Sequence, residues 1–221
     1  MLLVLSIATY SRNRLWNSEI DLWEDCVKKS PNKARPQSNL GVAYSESGQY
    51  RKALDLIQSA IRINPQNATS YCALSTVFYK TRDLDRAIAM LKKALDIDPT
   101  LKMAYYSLGS IYLEKTQYEE SAEALRKFLK VFPYFPETHN LLAIAYAGQK
   151  QFDKAVTEFE WEVRINPNHT LAHLNLGQMY WYEFQNRQKA LYHLKAALAL
   201  DPLLPNRAEV RRLVRLLEGL P

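Results

Sequence analysis

Prolines at a fixed interval constrain this chain more than any other feature. Pro31, Pro65, Pro99, Pro133 and Pro167 stand 34 residues apart, and Pro202 follows after 35. The residues in front of them recur as well: Arg62-Ile63-Asn64-Pro65, Asp96-Ile97-Asp98-Pro99, Arg164-Ile165-Asn166-Pro167 and Ala199-Leu200-Asp201-Pro202. An interval of this length marks an array of supersecondary units, none of which can bury its apolar face alone. Apolar residues within each interval return at spacings of three and four, so each reads as two amphipathic helices joined by a short turn. The proline ends the second helix, because it lacks an amide hydrogen and holds its predecessor away from helical angles. Ser47-Gly48-Gln49, Arg82-Asp83 and Gly148-Gln149 are the turn signals between the helices. With only six glycines and 48% hydrophobic residues, composition favours helices over a turn-rich β-fold.

The pattern resembles the tetratricopeptide repeat (TPR) family residue by residue. That family places a large residue at repeat position 4, Leu at 7, a small residue at 8, Tyr at 11, Ala at 20 and 27, a large apolar residue at 24 and Pro at 32. The first repeat supplies Leu40, Gly41, Tyr44, Ala53, Ile57, Ala60 and Pro65. The second supplies Tyr71, Leu74, Ser75, Phe78, Ala87, Leu91 and Ala94, and the third Tyr105, Leu108, Gly109, Tyr112, Ser121 and Leu125. The fourth supplies His139, Leu142, Ala143, Tyr146, Ala155 and Phe159, and the fifth His173, Leu176, Gly177, Tyr180, Ala190, Leu194 and Ala197. The resemblance implies an all-α fold, a right-handed superhelical solenoid of antiparallel helix pairs. The expected repeats are 34–67, 68–101, 102–135, 136–169 and 170–204. Phe128 and Glu162 depart from the pattern by standing at position 27 in the third and fourth repeats, so those interfaces must pack differently. The fifth repeat carries one extra residue around Glu183–Asn186.

Residues 1–33 are expected to form a further helix pair. Ser18 and Asp21 resemble a capping box ahead of a helix over 18–29. Met1–Tyr10 is apolar but spans only about half of the roughly 20 residues that a membrane helix needs. It reads either as the first helix of that pair or as the end of a membrane helix. The stretch Tyr10–Trp16, with Leu22-Trp23, Ser30–Arg35 and Asn39-Leu40-Gly41, resembles the junction before the TPR array of mannosyltransferase-like polytopic membrane proteins. That resemblance implies a periplasmic or lumenal side and a tether through the N-terminal segment; Arg12 and Arg14 speak for the cytoplasmic side. Residues 205–221 are expected to cap the array with a helix whose stripe is Val210, Leu213, Val214 and Leu217, its arginines lying opposite.

Function in such an array is expected on the concave face, lined by the first helix of each repeat at positions 2, 5, 9 and 12. From that face and position 6, the expected partner-binding residues are Arg35, Asn39, Val42, Cys72, Thr76, Tyr79, Tyr106, Ser110, Asn140, Ile144, Asn175, Gln178 and Trp181. The aromatic rings would serve as anchors, and the amides would hydrogen-bond a peptide backbone. Leu113, Ile144 and Leu174 read equally well as core. Chaperone-binding TPR proteins clamp a terminal carboxylate with a lysine, asparagine and arginine set, of which only Arg35 and Asn39 are echoed here.

No motif for catalysis, nucleotides or metal is found. His169 and His173 are four residues apart, but no third ligand accompanies them. Cys26 and Cys72 form no C-x-x-C pair. The net charge of +6 is a mild excess without an aromatic-interleaved basic motif, so nucleic acid is not expected as a partner. The sequence thus predicts a non-enzymatic interaction scaffold without cofactor, binding a protein or peptide. The alternatives are the TPR module of a membrane glycosyltransferase-like protein and a self-assembling scaffold.

Overall fold

The computed structural model describes residues 18–204 and 206–219, which form helices and no strand. The helices are α1 (Glu19–Lys29), α2 (Ala34–Glu46), α3 (Tyr50–Ile63), α4 (Ala68–Lys80), α5 (Leu84–Ile97), α6 (Lys102–Glu114), α7 (Tyr118–Leu129), α8 (Thr138–Gly148), α9 (Phe152–Ile165), α10 (Thr170–Tyr182), α11 (Arg187–Leu200) and α12 (Arg207–Glu218). They fall into two compact units, one ending at Ala104 and the other beginning at Tyr105. In each unit, helices that follow one another in the chain pack together, as α2 on α3, α4 on α5, α8 on α9 and α10 on α11. The expectations for Met1–Tyr10 and for Arg12 and Arg14 lie outside the described residues.

Position 8 sets how closely the two helices of a pair approach. A Cβ on Gly41 would sit 2.5 Å from Cγ1 of Ile57, and one on Gly177 2.6 Å from Cγ of Leu194 and 3.0 Å from the Leu194 backbone nitrogen. The second helix therefore lies where a methyl group would be, and Ile57 and Leu194 are completely buried against it.

The turns within the pairs share one device. Gly48, Arg82, Thr116, Lys150 and Gln185 all have φ between 52° and 79°, the left-handed region. Each ends a helix in a Schellman-type turn. The amide of Gln49, Asp83, Gln117 or Gln151 donates to the carbonyl five residues back, on Tyr44, Phe78, Tyr112 or Tyr146, at 2.8–2.9 Å. In the fifth repeat the inserted residue moves the donor one place on, so Asn186 reaches Tyr180 at 2.7 Å.

The Asn or Asp before four of the interval prolines has a role as well. Asn64, Asp98, Asn166 and Asp201 cap their helices, and each Oδ1 accepts the amide hydrogen two residues on, across the proline. This Asx-turn fixes the link to the next pair. Phe132-Pro133 lacks that acceptor, and the link there is built differently. Phe128, completely buried, packs its ring on Tyr106, Phe132 and Phe135 at centroid distances of 5.3, 5.2 and 5.1 Å. The chain enters α8 through Glu137 in the left-handed region (φ 65°).

Glu162 solves the problem this leaves. Its side chain is 0% exposed. Its two oxygens accept the amide hydrogens of Glu137 (3.1 Å) and Asn140 (3.2 Å), the otherwise orphaned donors at the start of α8. The two departures from the repeat pattern thus sit on one altered junction.

At the ends, Ser18 Oγ caps α1 by accepting from the Asp21 amide at 3.2 Å. The terminal helix buries Val210, Val214 and Leu217. The expectation that its arginines lie opposite fails for Arg207. That guanidinium turns back to donate to the carbonyls of Leu198 (2.8 Å) and Asp201 (2.6 Å) at the end of α11.

Candidate functional site

In the first unit the expected face is carried by α2 and α4, which pack side by side. Arg35, Thr76 and Tyr79 are exposed there, and Asn39, Val42 and Cys72 are half-buried. Thr76 Oγ1 donates to the Cys72 carbonyl of its own helix at 3.1 Å. Burial pushes the Cys72 thiol up, with the Asp98 charge adding to it, so it carries no thiolate character at neutral pH. Both Cys26 and Cys72 are free thiols.

In the second unit the expected residues divide. Tyr106 is half-buried on Phe128 and Phe135 (5.5 Å), and Ser110 Oγ donates to the Tyr106 carbonyl at 3.1 Å. Trp181 is half-buried against the core. Ile144, Asn175 and Gln178, by contrast, come together in an open pocket of about 440 Å³. Asn140, buried on α8, lies beside it, its Oδ1 within 3.5 Å of Asn175 Nδ2.

The pocket is formed between α8, α9 and α10. Ile144 and Ala147 are contributed by α8, Phe152 and Phe159 by α9, and Asn175, Gln178, Met179 and Tyr182 by α10, with Glu183 just beyond. Met179, Tyr182, Glu183 and Phe152 were not among the residues expected from the sequence. They stand at positions 10, 13, 14 and 17, off the stripe of positions 2, 5, 9 and 12. The pocket gathers its lining from three helices, which the stripe of a single helix does not mark.

Position 4 shows a recurring contact in three of the repeats. Gln37 Nε2 donates to the Pro31 carbonyl, His139 Nε2 to Pro133 at 2.8 Å, and His173 Nε2 to Pro167 at 3.1 Å. A carbonyl can only accept, so both histidines carry their hydrogen on Nε2. Their other nitrogens then face different partners from position 23 of the same repeat. His139 Nδ1 lies 2.6 Å from Glu158 Oε2. Burial works against the charge on His139, but the hydrogen bonds to Glu158 and Pro133 prevail and raise its pKa above 6.5. His173 Nδ1 lies 3.0 Å from Nδ1 of His193. Burial lowers both pKa values, and for His193, with His173 adding to the effect, the value falls to about 4.

Around His193, Tyr180 stacks at 5.8 Å and Tyr192 meets it edge-on at 4.9 Å. Tyr180 OH donates to Glu160 and accepts from Lys189 Nζ at 3.0 Å. Among the described residues no group of three or more His, Cys, Asp and Glu could hold a metal ion, and no helix is long and apolar enough to cross a membrane.

The family model for the tetratricopeptide repeat matches residues 38–101, 106–160 and 140–205. Comparison with curated proteins gives no match. Among solved structures, YrrB, described as a TPR protein with an unusual peptide-binding site, superposes with a TM-score of 0.76 at 22% identity, over 86% of this chain and 97% of its own. MamA 41-end from Desulfovibrio magneticus RS-1 gives a TM-score of 0.71 at 22% identity, over 76% of this chain and 94% of its own. Another MamA crystal structure gives 0.70 at 22% identity, over 80% and 94%. With the matched segments covering most of its length, the chain belongs to the tetratricopeptide repeat family.

Proposed function

We propose that this protein is a non-catalytic interaction scaffold that holds a peptide or protein segment in the pocket between α8, α9 and α10. The observation that carries this reading is the pairing of amides with an apolar wall. Asn175 and Gln178 each offer a donor and an acceptor, the two groups that an extended peptide backbone needs. Ile144, Ala147, Met179 and Tyr182 beside them suit an apolar side chain. Glu183 is the one ionisable side chain among the lining residues apart from the Tyr182 phenol, which favours a neutral or basic segment over an acidic one. The peptide-binding site attributed to YrrB supports the same reading.

The test is selection from a displayed peptide library. Enriched peptides should bind Asn175→Ala roughly tenfold more weakly, the equivalent of one or two lost hydrogen bonds. Ala147→Trp, which fills the pocket, should abolish binding while the helical circular dichroism signal is kept. Peptides that bind both variants as tightly as the parent protein would contradict the proposal.

A further inference from the structure

The same two repeat positions carry opposite charge chemistry in adjacent helix pairs. Position 4 meets position 23 as His139–Glu158 between α8 and α9, and as His173–His193 between α10 and α11. His173 and His193 are only 4% and 9% exposed. The Pro167 carbonyl fixes the hydrogen of His173 on Nε2. Nδ1 of His173 is therefore the acceptor and Nδ1–H of His193 the donor. That hydrogen bond tolerates one added proton and is broken by two. Opening the pair to water lets both rings take protons that the closed pair refuses, so acid favours opening.

We propose that the His173–His193 hydrogen bond is an acid-sensitive latch holding α11 on α10, while His139–Glu158 keeps α8 and α9 closed in acid. Because α10 also carries Asn175, Gln178 and Met179, loosening it would release whatever the pocket holds; that consequence rests on the function proposed above. The charged and titratable groups around the latch do not remove its sense. His169 at the start of α10 disfavours a proton on His173, and Lys189 on α11 disfavours one on His193. Glu160 on α9 is the one group that attracts a proton to His193, and it already accepts from Tyr180. Tyr180 and Tyr192 present rings, and on α12 Glu218 is held by Lys195 at 2.6 Å.

The first repeat supplies the design for a silent latch, since its equivalent positions are Gln37 and Leu56 and Gln37 makes the same bond to proline. Amide hydrogen exchange without any partner, corrected for intrinsic rates, should be compared at pH 7.0 and 5.5. One pH unit below the free histidine value is worth roughly tenfold per histidine. The opening constant of α11 should therefore rise roughly ten- to a hundredfold in the native protein, and that of α8–α9 should not rise. The rise should vanish in His173→Gln/His193→Leu. His193→Glu, which copies the His139–Glu158 pair, should reverse it. An unchanged α11 at pH 5.5, or an equal rise in the double variant, would overturn the latch. Either result leaves the pocket untouched, because peptide binding at pH 7.0 reads that separately.

Discussion

Restoring the alanine that the repeat pattern favours at position 27 should weaken the protein where the residue replaced is Glu162. Its carboxylate is fully buried and accepts the amide hydrogens of Glu137 and Asn140. Removing it leaves one buried and one partly buried donor without their acceptor, so Glu162→Ala should cost roughly 2–3 kcal/mol. Chemical denaturation measures this, and a variant as stable as the parent would show that the donors find other partners. Gly177→Ala tests the opposite demand, for too little space rather than too few acceptors. The new methyl group would press on Leu194, including its backbone, and should cost about 1–3 kcal/mol by the same measurement. At this scale the sequence was partly legible. Position 8 told its own story, and so did the anomaly at position 27. The acceptor role of Glu162 was hidden, because its donors lie 22 and 25 residues away at a helix start that no local pattern marks. The partner of His173 was hidden too: the insertion near Glu183–Asn186 shifts His193 out of the register that pairs His139 with Glu158.

Elements begin and end here by rules that act on a few residues. Thr116 and Lys150 hold left-handed backbone (φ 58° and 59°) in turns where the first repeat uses Gly48. A side chain in that region costs about 1–2 kcal/mol, and glycine gives back about 0.5–1 kcal/mol in chain entropy. Thr116→Gly and Lys150→Gly should therefore each raise stability by roughly 0.5–1 kcal/mol, a rise in thermal midpoint that adds when the two are combined. A fall in midpoint would mean that the side chains hold the turns in some other way. The helices themselves were readable from apolar spacing and from the Asn-Pro and Asp-Pro links. The late start of α8 was not. It follows from Phe128, Phe132 and Phe135 packing together where four of the other links have an Asx-turn, a contact that needs the folded junction to exist.

For the whole molecule, stability is the sum of helix pairs and their interfaces, and pH acts on two of them with opposite sign. The His139 pKa is raised above 6.5, so its contribution is full below that value and fades as pH rises through the higher folded value. The His173–His193 pair is lowered, to about 4 for His193, so its contribution is full above 6.5 and is lost as pH falls toward 4. Replacing Glu158 by Gln should therefore make the protein more acid-labile, and replacing both histidines of the pair by Gln and Leu more acid-tolerant. Thermal midpoints at pH 5 and 7.5 would show either trend. The array was legible in the sequence because its proline interval is a property of the whole chain. Where a partner sits was less so. The pocket draws on α8, α9 and α10 at once, and the stripe of one helix names only part of its lining.

The most direct test of the binding role is a photo-crosslinking residue at Gln178, exposed on the pocket wall, in the presence of native lysate. The expected result is a discrete adduct with another protein that disappears when Ala147→Trp fills the pocket. Adducts unaffected by that substitution, or none at all, would contradict a partner held between α8, α9 and α10.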